Sequence, residues 1–305
     1  MSSRSKVAVI GGGGNVGAAV AFSIIACGIH ADVIIVDAAE KLAEGQALDI
    51  ADASHLSPAN CCVGTFKEAG DCDVIIITAG ARQQPGEPRS KLLNRNYSIM
   101  KSIIDNIKPI KETAVFIVVS NPVDVLASVI QRLTKLPYNQ VMGSGTFLDS
   151  ARLRNNLSEK LKISSSSIHA YILGEHGDDQ FVGWSSATVA GTPLLSYDAI
   201  KDLDLNEIEK DISRKAYEII EAKGSTYYGI GLHVAYLTRA VLGDERKVIP
   251  VSTFIKQYDA YMSIPSIVGA KGAEPVEINL DDQEKEHLQH AAIKIKGMCD
   301  QLNYN

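Results

Sequence analysis

The first half of the chain alternates short, continuously apolar runs with amphipathic stretches. The runs are "KVAVI" (6–10), "DVIIVD" (32–37), "DVIIIT" (73–78) and "AVFIVVS" (114–120), all rich in β-branched residues. Runs without internal polar alternation predict parallel strands covered on both faces. The segments 15–28, 41–53 and 91–108 predict helices. In "LLNRNYSIMKSIIDNIK" (92–108) apolar residues recur at three- and four-residue steps. A further helix is expected after Pro122, and "QVMGSG" (140–145) supplies another strand. This β-α-β rhythm predicts an α/β fold with a doubly wound parallel sheet.

The rhythm changes after about residue 145. "SIHAYILG" (167–174), "WSSATVAG" (184–191), "KVIPVSTFI" (247–255), "YMSIPSIVGAKG" (261–272) and "PVEINL" (275–280) predict strands. Two long helical stretches, about 204–243 and 281–301, accompany them. The pattern divides the chain into a sheet domain, 1–144, and a mixed α+β domain, 145–305. Whether the helix near 229–243 packs back on the first domain is open at this level.

Composition narrows the class. A chain of 305 residues suits two domains, and 46% hydrophobic with 22% charged residues predicts a folded protein. A net charge of −6 argues against a nucleic-acid or anionic-membrane surface. Five cysteines with no C-x-x-C pair imply free thiols in a reducing, cytoplasmic compartment. The adjacent Cys61 and Cys62 are either redox-sensitive or, more simply, small packing residues. "VGAAVAFSIIACGI" (16–29), preceded by Arg4 and Lys6, superficially resembles a signal peptide. The interrupting glycines and Asn15 favour a buried first helix, and no other run approaches the roughly 20 residues of a membrane span. No metal site is expected: His169 and His176 lack zinc-ligand spacing, and His287 and His290 sit on a charged, solvated helix face.

Three groups of residues carry candidate chemistry. "VAVIGGGGNVGAAVA" contains Gly12-x-Gly14-x-x-Gly17 between a strand and a helix, and Asp37 ends the second strand 20 residues later. Glycines there permit a tight turn and close approach of a pyrophosphate to a helix N-terminus. A carboxylate at Asp37 accepts from ribose hydroxyls and repels a 2′-phosphate. With Ala38 and Ala39 following, the pattern favours NAD over NADP. A glycine turn with a solvated Asp is the bland alternative. His176 follows a strand between small residues, and Asp149 and Arg152 sit one helical turn apart. Separately these read as a structural histidine and a salt bridge. Together they supply a proton donor, a carboxylate to orient it, and a guanidinium to grip a substrate carboxylate, as hydride transfer to a 2-oxo acid requires.

At this point the chain resembles the NAD-dependent L-lactate dehydrogenases of the lactate/malate dehydrogenase family, in particular those of filamentous fungi. The resemblance runs from about Lys6 to the C-terminal helix. It rests on "GGGGNVG", "IIVD", "TAGARQQPGEPR", "VVSNPVD", "MGSGTFLDSARLR", "LGEHGD", "KGSTYYGIG", "IPVST" and "SIPSIVGAKG". It implies a Rossmann-type NAD domain and a substrate domain. It makes His176 the proton donor and acceptor, Asp149 its orienting partner and Arg152 the carboxylate clamp. Asn121 and Thr226 would line the substrate pocket. Gly12, Gly14, Asn15, Val16, Gly17, Asp37, Ala79, Gly80, Val119, Asn121, Ser144 and Ile230 would hold NAD. The polar loop after "TAG" would be a lid, bringing Arg89 to the substrate carbonyl.

The specificity position lies six residues before that arginine, at Gln83, with Gln84 as the register rival. Malate dehydrogenases of the family carry Arg there, so a neutral Gln implies pyruvate. Malate or a bulkier 2-hydroxy acid remains the rival substrate, and Thr226 argues mildly against bulk. A non-catalytic binding protein on the same scaffold should have lost His176 or Arg152. Arg154 and His169 match positions that bind fructose 1,6-bisphosphate in allosteric bacterial forms. The family also implies a homotetramer and a role in glycolysis and fermentation. The departures are extra glycines at Gly11 and Gly13, Tyr228 where vertebrate forms often have Trp, and no long N-terminal arm.

Overall fold

The computed structural model describes residues 4–81 and 89–302, with the side chain of Arg89 excepted. In the first half, β1 (Ser5–Ile10), β2 (Ala31–Val36), β3 (Asn60–Val63), β4 (Val74–Ile77), β5 (Val115–Val118) and β6 (Val141–Gly143) alternate with helices. These are α1 (Asn15–Ala26), α2 (Glu40–Ala53), α3 (Phe66–Ala69), α4 (Arg89–Ile107) and α5 (Val123–Thr134). The six strands pair in parallel in the order β3-β2-β1-β4-β5-β6. Two apolar layers explain the continuous apolar runs. Ala8, Ile10, Ile75, Ile77 and Phe116 face α4 and α5, while Val7, Val9, Ile76 and Ile117 face α1 and α2. Alternate side chains of one strand thus enter opposite cores. β3 was not legible in the pattern. It carries Cys61, buried, with its thiol pushed up to about 12 by burial and by Cys62.

The second half begins with α6 (Phe147–Leu161). It continues through the short strands β7 (Ile168–His169), β8 (Ile172–Leu173), β9 (Phe181–Val182), β10 (Thr188–Val189) and β11 (Thr192–Pro193). Then come α7 (Asp198–Lys201), α8 (Leu205–Lys223), α9 (Tyr228–Leu242), β12 (Lys247–Ile255), β13 (Ala260–Gly269), β14 (Gly272–Pro275) and α10 (Asp282–Asp300). The long helical stretch is therefore two helices. Gly224, at φ +85°, ends α8 in the left-handed conformation that glycine adopts without strain. "PVEINL" is a strand only at Pro275, where pairing with Ser266 ends.

The sheet does not stop at the expected division near residue 144. β12 joins β6 antiparallel at Ser252 and Gly143, and β13 and β14 continue outward, so all three lengthen the first sheet to nine strands. α9 also returns to the first half. Gly231 lies against the Ala19 backbone of α1, where a Cβ would come within 2.8 Å. Among the described residues no helix is long and apolar enough to cross a membrane.

Candidate active site

The carboxyl ends of the parallel strands converge at the point where strand order reverses, between β1 and β4. Open α/β sheets bind ligands at such a crevice. Three glycines of the turn after β1 are sterically closed to other residues. A Cβ on Gly11 (φ +85°) would lie 2.5 Å from the Ala79 nitrogen, one on Gly12 2.6 Å from Ile35 Cγ2, and one on Gly17 2.5 Å from the Gly11 oxygen. Gly14 is the N-cap of α1 and offers no side-chain acceptor, so the first-turn amides of Asn15, Val16 and Gly17 stand open to an anion. The Asp37 carboxylate closes the far side. Its Oδ2 accepts from the Gly13 amide at 3.0 Å and its Oδ1 from the Ala39 amide at 2.9 Å. These residues fit a dinucleotide: a bare backbone cradle for pyrophosphate with a carboxylate beyond it.

The neighbouring strand ends complete the crevice wall. Val119 donates its amide to the Ile77 carbonyl at 2.8 Å, and Ser144 donates its amide to the Val118 carbonyl at 2.8 Å. Ala79 touches the glycine turn, and Gly80 faces Ser120. Asn121 is exposed at the end of β5. Sequence reasoning missed Asn96, which is 1% exposed. Its Oδ1 accepts from the Ala81 amide at 2.7 Å and its Nδ2 donates to the Asn121 carbonyl at 2.8 Å. One buried side chain thus ties Ala81 to the Asn121 turn. Its helical spacing gives no such signal, because a buried Asn in an apolar pattern reads as a blemish. The expectations for Gln83 and for the Arg89 side chain lie outside the described residues. The backbone of Arg89 starts α4.

His176 sits in the turn between β8 and β9. Its height above the sheet is set by paired backbone hydrogen bonds between Gly174 and Ser263 of β13, at 3.0 and 2.8 Å. Asp149 lies in the first turn of α6, where the helix dipole favours a carboxylate. Its Oδ2 is 3.0 Å from His176 Nδ1, and its Oδ1 accepts from Arg152 Nη1 at 3.0 Å. Asp149 is buried, while 29% of the His176 side chain is accessible and its Nδ1 is not. The open edge of the ring is therefore the Nε2 edge.

The electrostatics follow from this packing. Burial alone would lower the His176 pKa. The hydrogen bond and charge of Asp149, with Asp124 adding, outweigh burial and the opposing Arg152 charge, so the net shift is upward. For Asp149, burial acts to raise the pKa, but His176 and Arg152 together hold it below the usual carboxylate range. Asp124, at the start of α5, is the second residue that sequence reasoning missed as a site residue. It is 2% exposed, and its Oδ2 accepts the His176 amide at 2.8 Å. Burial pushes it up to about 6, opposed by the Ser252 hydroxyl and by the His176 amide and charge.

The remaining expected residues fall in two places. Thr226 and Ile230 lie at the α8–α9 junction. Asn15 Nδ2 donates to Ser225 Oγ at 3.4 Å, so this junction borders the start of α1. Gly229 packs on Leu148, next to Asp149. Arg154 is not a free surface charge. Its Nε donates to the Ser150 carbonyl at 3.3 Å and its guanidinium lies over the Tyr171 ring at 5.6 Å. His169 is exposed on β7. No group of three or more metal-ligating side chains forms among the described residues.

Comparison with known proteins agrees with this geometry. Residues 5–143 match the lactate/malate dehydrogenase NAD-binding domain and residues 146–303 the lactate/malate dehydrogenase α/β C-terminal domain. The chain is 42% identical over 296 residues to L-lactate dehydrogenase A of Rhizopus oryzae, covering 97% of this chain and 92% of that protein. It is 39% identical to L-lactate dehydrogenase 1 of Clostridium acetobutylicum, covering 99% and 100%. Among solved structures, the minor L-lactate dehydrogenase of Enterococcus mundtii superposes with a TM-score of 0.93 at 33% identity, covering 99% of both chains. A lactate dehydrogenase from a Medee basin deep-sea metagenome library does so with a TM-score of 0.93 at 35% identity, covering 99% of this chain and 100% of that one. With its dinucleotide crevice, its His176–Asp149–Arg152 cluster and both halves matched in order, the chain belongs to the lactate/malate dehydrogenase family and takes NAD as its cofactor.

Proposed function

We propose that the chain is an L-lactate dehydrogenase interconverting pyruvate and L-lactate. The observation that carries this reading is the buried Asp149 carboxylate, which touches both His176 and Arg152 at 3.0 Å. Bound NADH supplies the hydride. Arg152 gives one N–H to Asp149, and the rest of its fork receives the pyruvate carboxylate in bidentate fashion. His176 donates from Nε2 to the carbonyl oxygen, and Asp149 stabilises the imidazolium before transfer and fixes the tautomer after it. Arg89 acts on the carbonyl oxygen and Gln83 selects against a second carboxylate, both by resemblance.

The test is a substrate panel read at the reduced-nicotinamide absorbance band. kcat/KM for pyruvate is expected to exceed that for oxaloacetate by about a hundredfold or more, since the neutral Gln83 that the resemblance assigns to specificity offers a second carboxylate no partner charge. The reverse order overturns the assignment to lactate. The same assay reads the histidine. Pyruvate reduction needs protonated His176, whose pKa is raised, so kcat/KM holds at low pH and falls only as pH rises through that elevated value. Lactate oxidation needs the neutral ring and shows the opposite limb. A pyruvate limb falling below the usual histidine range would remove Asp149 from its role.

Asp37 allows a second check. Asp37→Ser removes the charge that repels a 2′-phosphate, and the preference for NADH over NADPH is expected to narrow by at least about tenfold. The two backbone contacts of Asp37 add a consequence: the NADH KM rises as well, because the Gly13 and Ala39 amides lose their acceptor. An unmodified enzyme using both cofactors equally would refute the ribose role.

Self-association as a cytoplasmic homotetramer in fermentative glycolysis completes the proposal. Molar mass in solution tests this association.

A further inference from the structure

We propose that Lys294, on the C-terminal helix, is a positioning residue for the catalytic turn, its single ammonium clasping the carboxylates on either side of His176. Lys294 Nζ lies 2.7 Å from Glu175 Oε2 and 2.7 Å from Asp179 Oδ2. Glu175 immediately precedes His176 and is 8% exposed. Asp179 follows three residues later. The turn from 174 to 180 is therefore held at both ends by one side chain from α10, far along the chain.

The rest of α10 is aligned to the same segment. His287 stacks on Phe181 with ring centroids 5.1 Å apart, His290 Nδ1 lies 4.0 Å from Asp179 Oδ2, and Glu284 accepts from the Ser185 amide at 2.9 Å. Gln180 Nε2 also donates to Ser213 Oγ of α8 at 3.4 Å. Asp178 to Val182 border a cavity of about 580 Å³ between α8 and α10. On the inner side, backbone bonds run from Gly174 to Ser263 and from the His176 amide to Asp124. Neither of these reaches Asp179. Without the ammonium, Glu175 and Asp179 become two like charges with one of them buried, and the turn relieves this by opening. His176 lies between them and moves with it. A shift of the proton donor by a fraction of an ångström lowers the rate of proton transfer without affecting the dinucleotide crevice, which rests on β1, α1 and β2. Lys294 touches neither substrate nor cofactor, so its effect passes through His176.

The inference rests on the lactate dehydrogenase reading, and the experiment separates the two. Full-length Lys294→Met, Lys294→Arg and Lys296→Met are compared with the unaltered chain. Lys296, on the same helix, pairs with Asp259 of the β12–β13 turn at 3.0 Å and serves as the control. In Lys294→Met, kcat for pyruvate reduction is expected to fall about tenfold while the NADH dissociation constant stays within about twofold. Hydrogen exchange of the 174–180 segment rises in that variant alone. Lys294→Arg, keeping the charge, recovers to within about threefold of the unaltered kcat. Lys296→Met behaves as the unaltered chain. If Lys294→Met does not fold, Asp179→Asn, which leaves the Glu175 pair intact, is expected to lose about two- to threefold in kcat with the same rise in exchange.

Unchanged kcat and exchange in Lys294→Met, or in Asp179→Asn, overturn the proposal. So does a kcat loss that Lys294→Arg fails to restore, or one matched by an equal loss of NADH affinity. Pyruvate turnover by the unaltered chain tests the functional reading itself. The ratio of variant to unaltered rates, and the exchange measurement that needs no substrate, test the clasp.

Discussion

His176→Asn is expected to lower kcat for pyruvate reduction by about 10²–10⁴-fold, the range that a positioned proton donor contributes. NADH affinity, read by fluorescence titration, stays nearly unchanged, because the dinucleotide crevice is built from other elements. The partner variant separates two roles of Asp149. Asp149→Asn keeps a side chain of the same shape but removes the charge that opposes burial. Burial then dominates and the His176 pKa falls. The protonated fraction near neutral pH drops, so pyruvate loses both binding and turnover, and its pH limb moves to lower pH. Lactate oxidation, which uses the neutral ring, suffers less. Arg152 also loses its anchor, so the pyruvate KM rises. Equal damage in both directions would assign Asp149 to packing alone. Rates like those of the unaltered enzyme in His176→Asn would take the residue out of the mechanism.

Gln83→Arg is expected to exchange the substrates. If position 83 reads the substrate as the resemblance implies, the new arginine has no partner with pyruvate bound, while oxaloacetate brings the carboxylate that pairs with it. Breaking or making such a desolvated pair is worth about 3–5 kcal/mol, or roughly two to four powers of ten in relative kcat/KM. Position 83 lies outside the described residues, so the motivation is residue identity and resemblance: a neutral amide six residues before Arg89. Gln84→Arg is the control on register. Should that variant switch preference and Gln83→Arg not, the counting from Arg89 is off by one.

Local order was legible in the sequence because its causes are local. Continuous apolar runs such as "DVIIIT" mean strands covered twice, and alternate residues of β1 and β4 do enter two different cores. Gly12, Gly14 and Gly17 announce a tight turn, and contacts of 2.5–2.6 Å close positions 12 and 17 to a Cβ; that Gly11 is closed as well, and Gly14 is not, only the packing shows. Asp149 and Arg152 pair because one helical turn separates them. Tertiary structure decided what depends on distant partners. Periodicity cannot tell whether an antiparallel hairpin closes its own sheet or extends another, and β12 to β14 extend the first. Nor can it tell that α9 crosses α1 at Gly231. The proposed proton donor is likewise assembled from afar: His176 meets Asp124 across 52 residues, and Glu175 meets Lys294 across 119. A buried carboxylate has the same letter in the sequence as a solvated one. Only packing removes its water, and that removal makes Asp124 and Asp149 answer to His176 rather than to solvent.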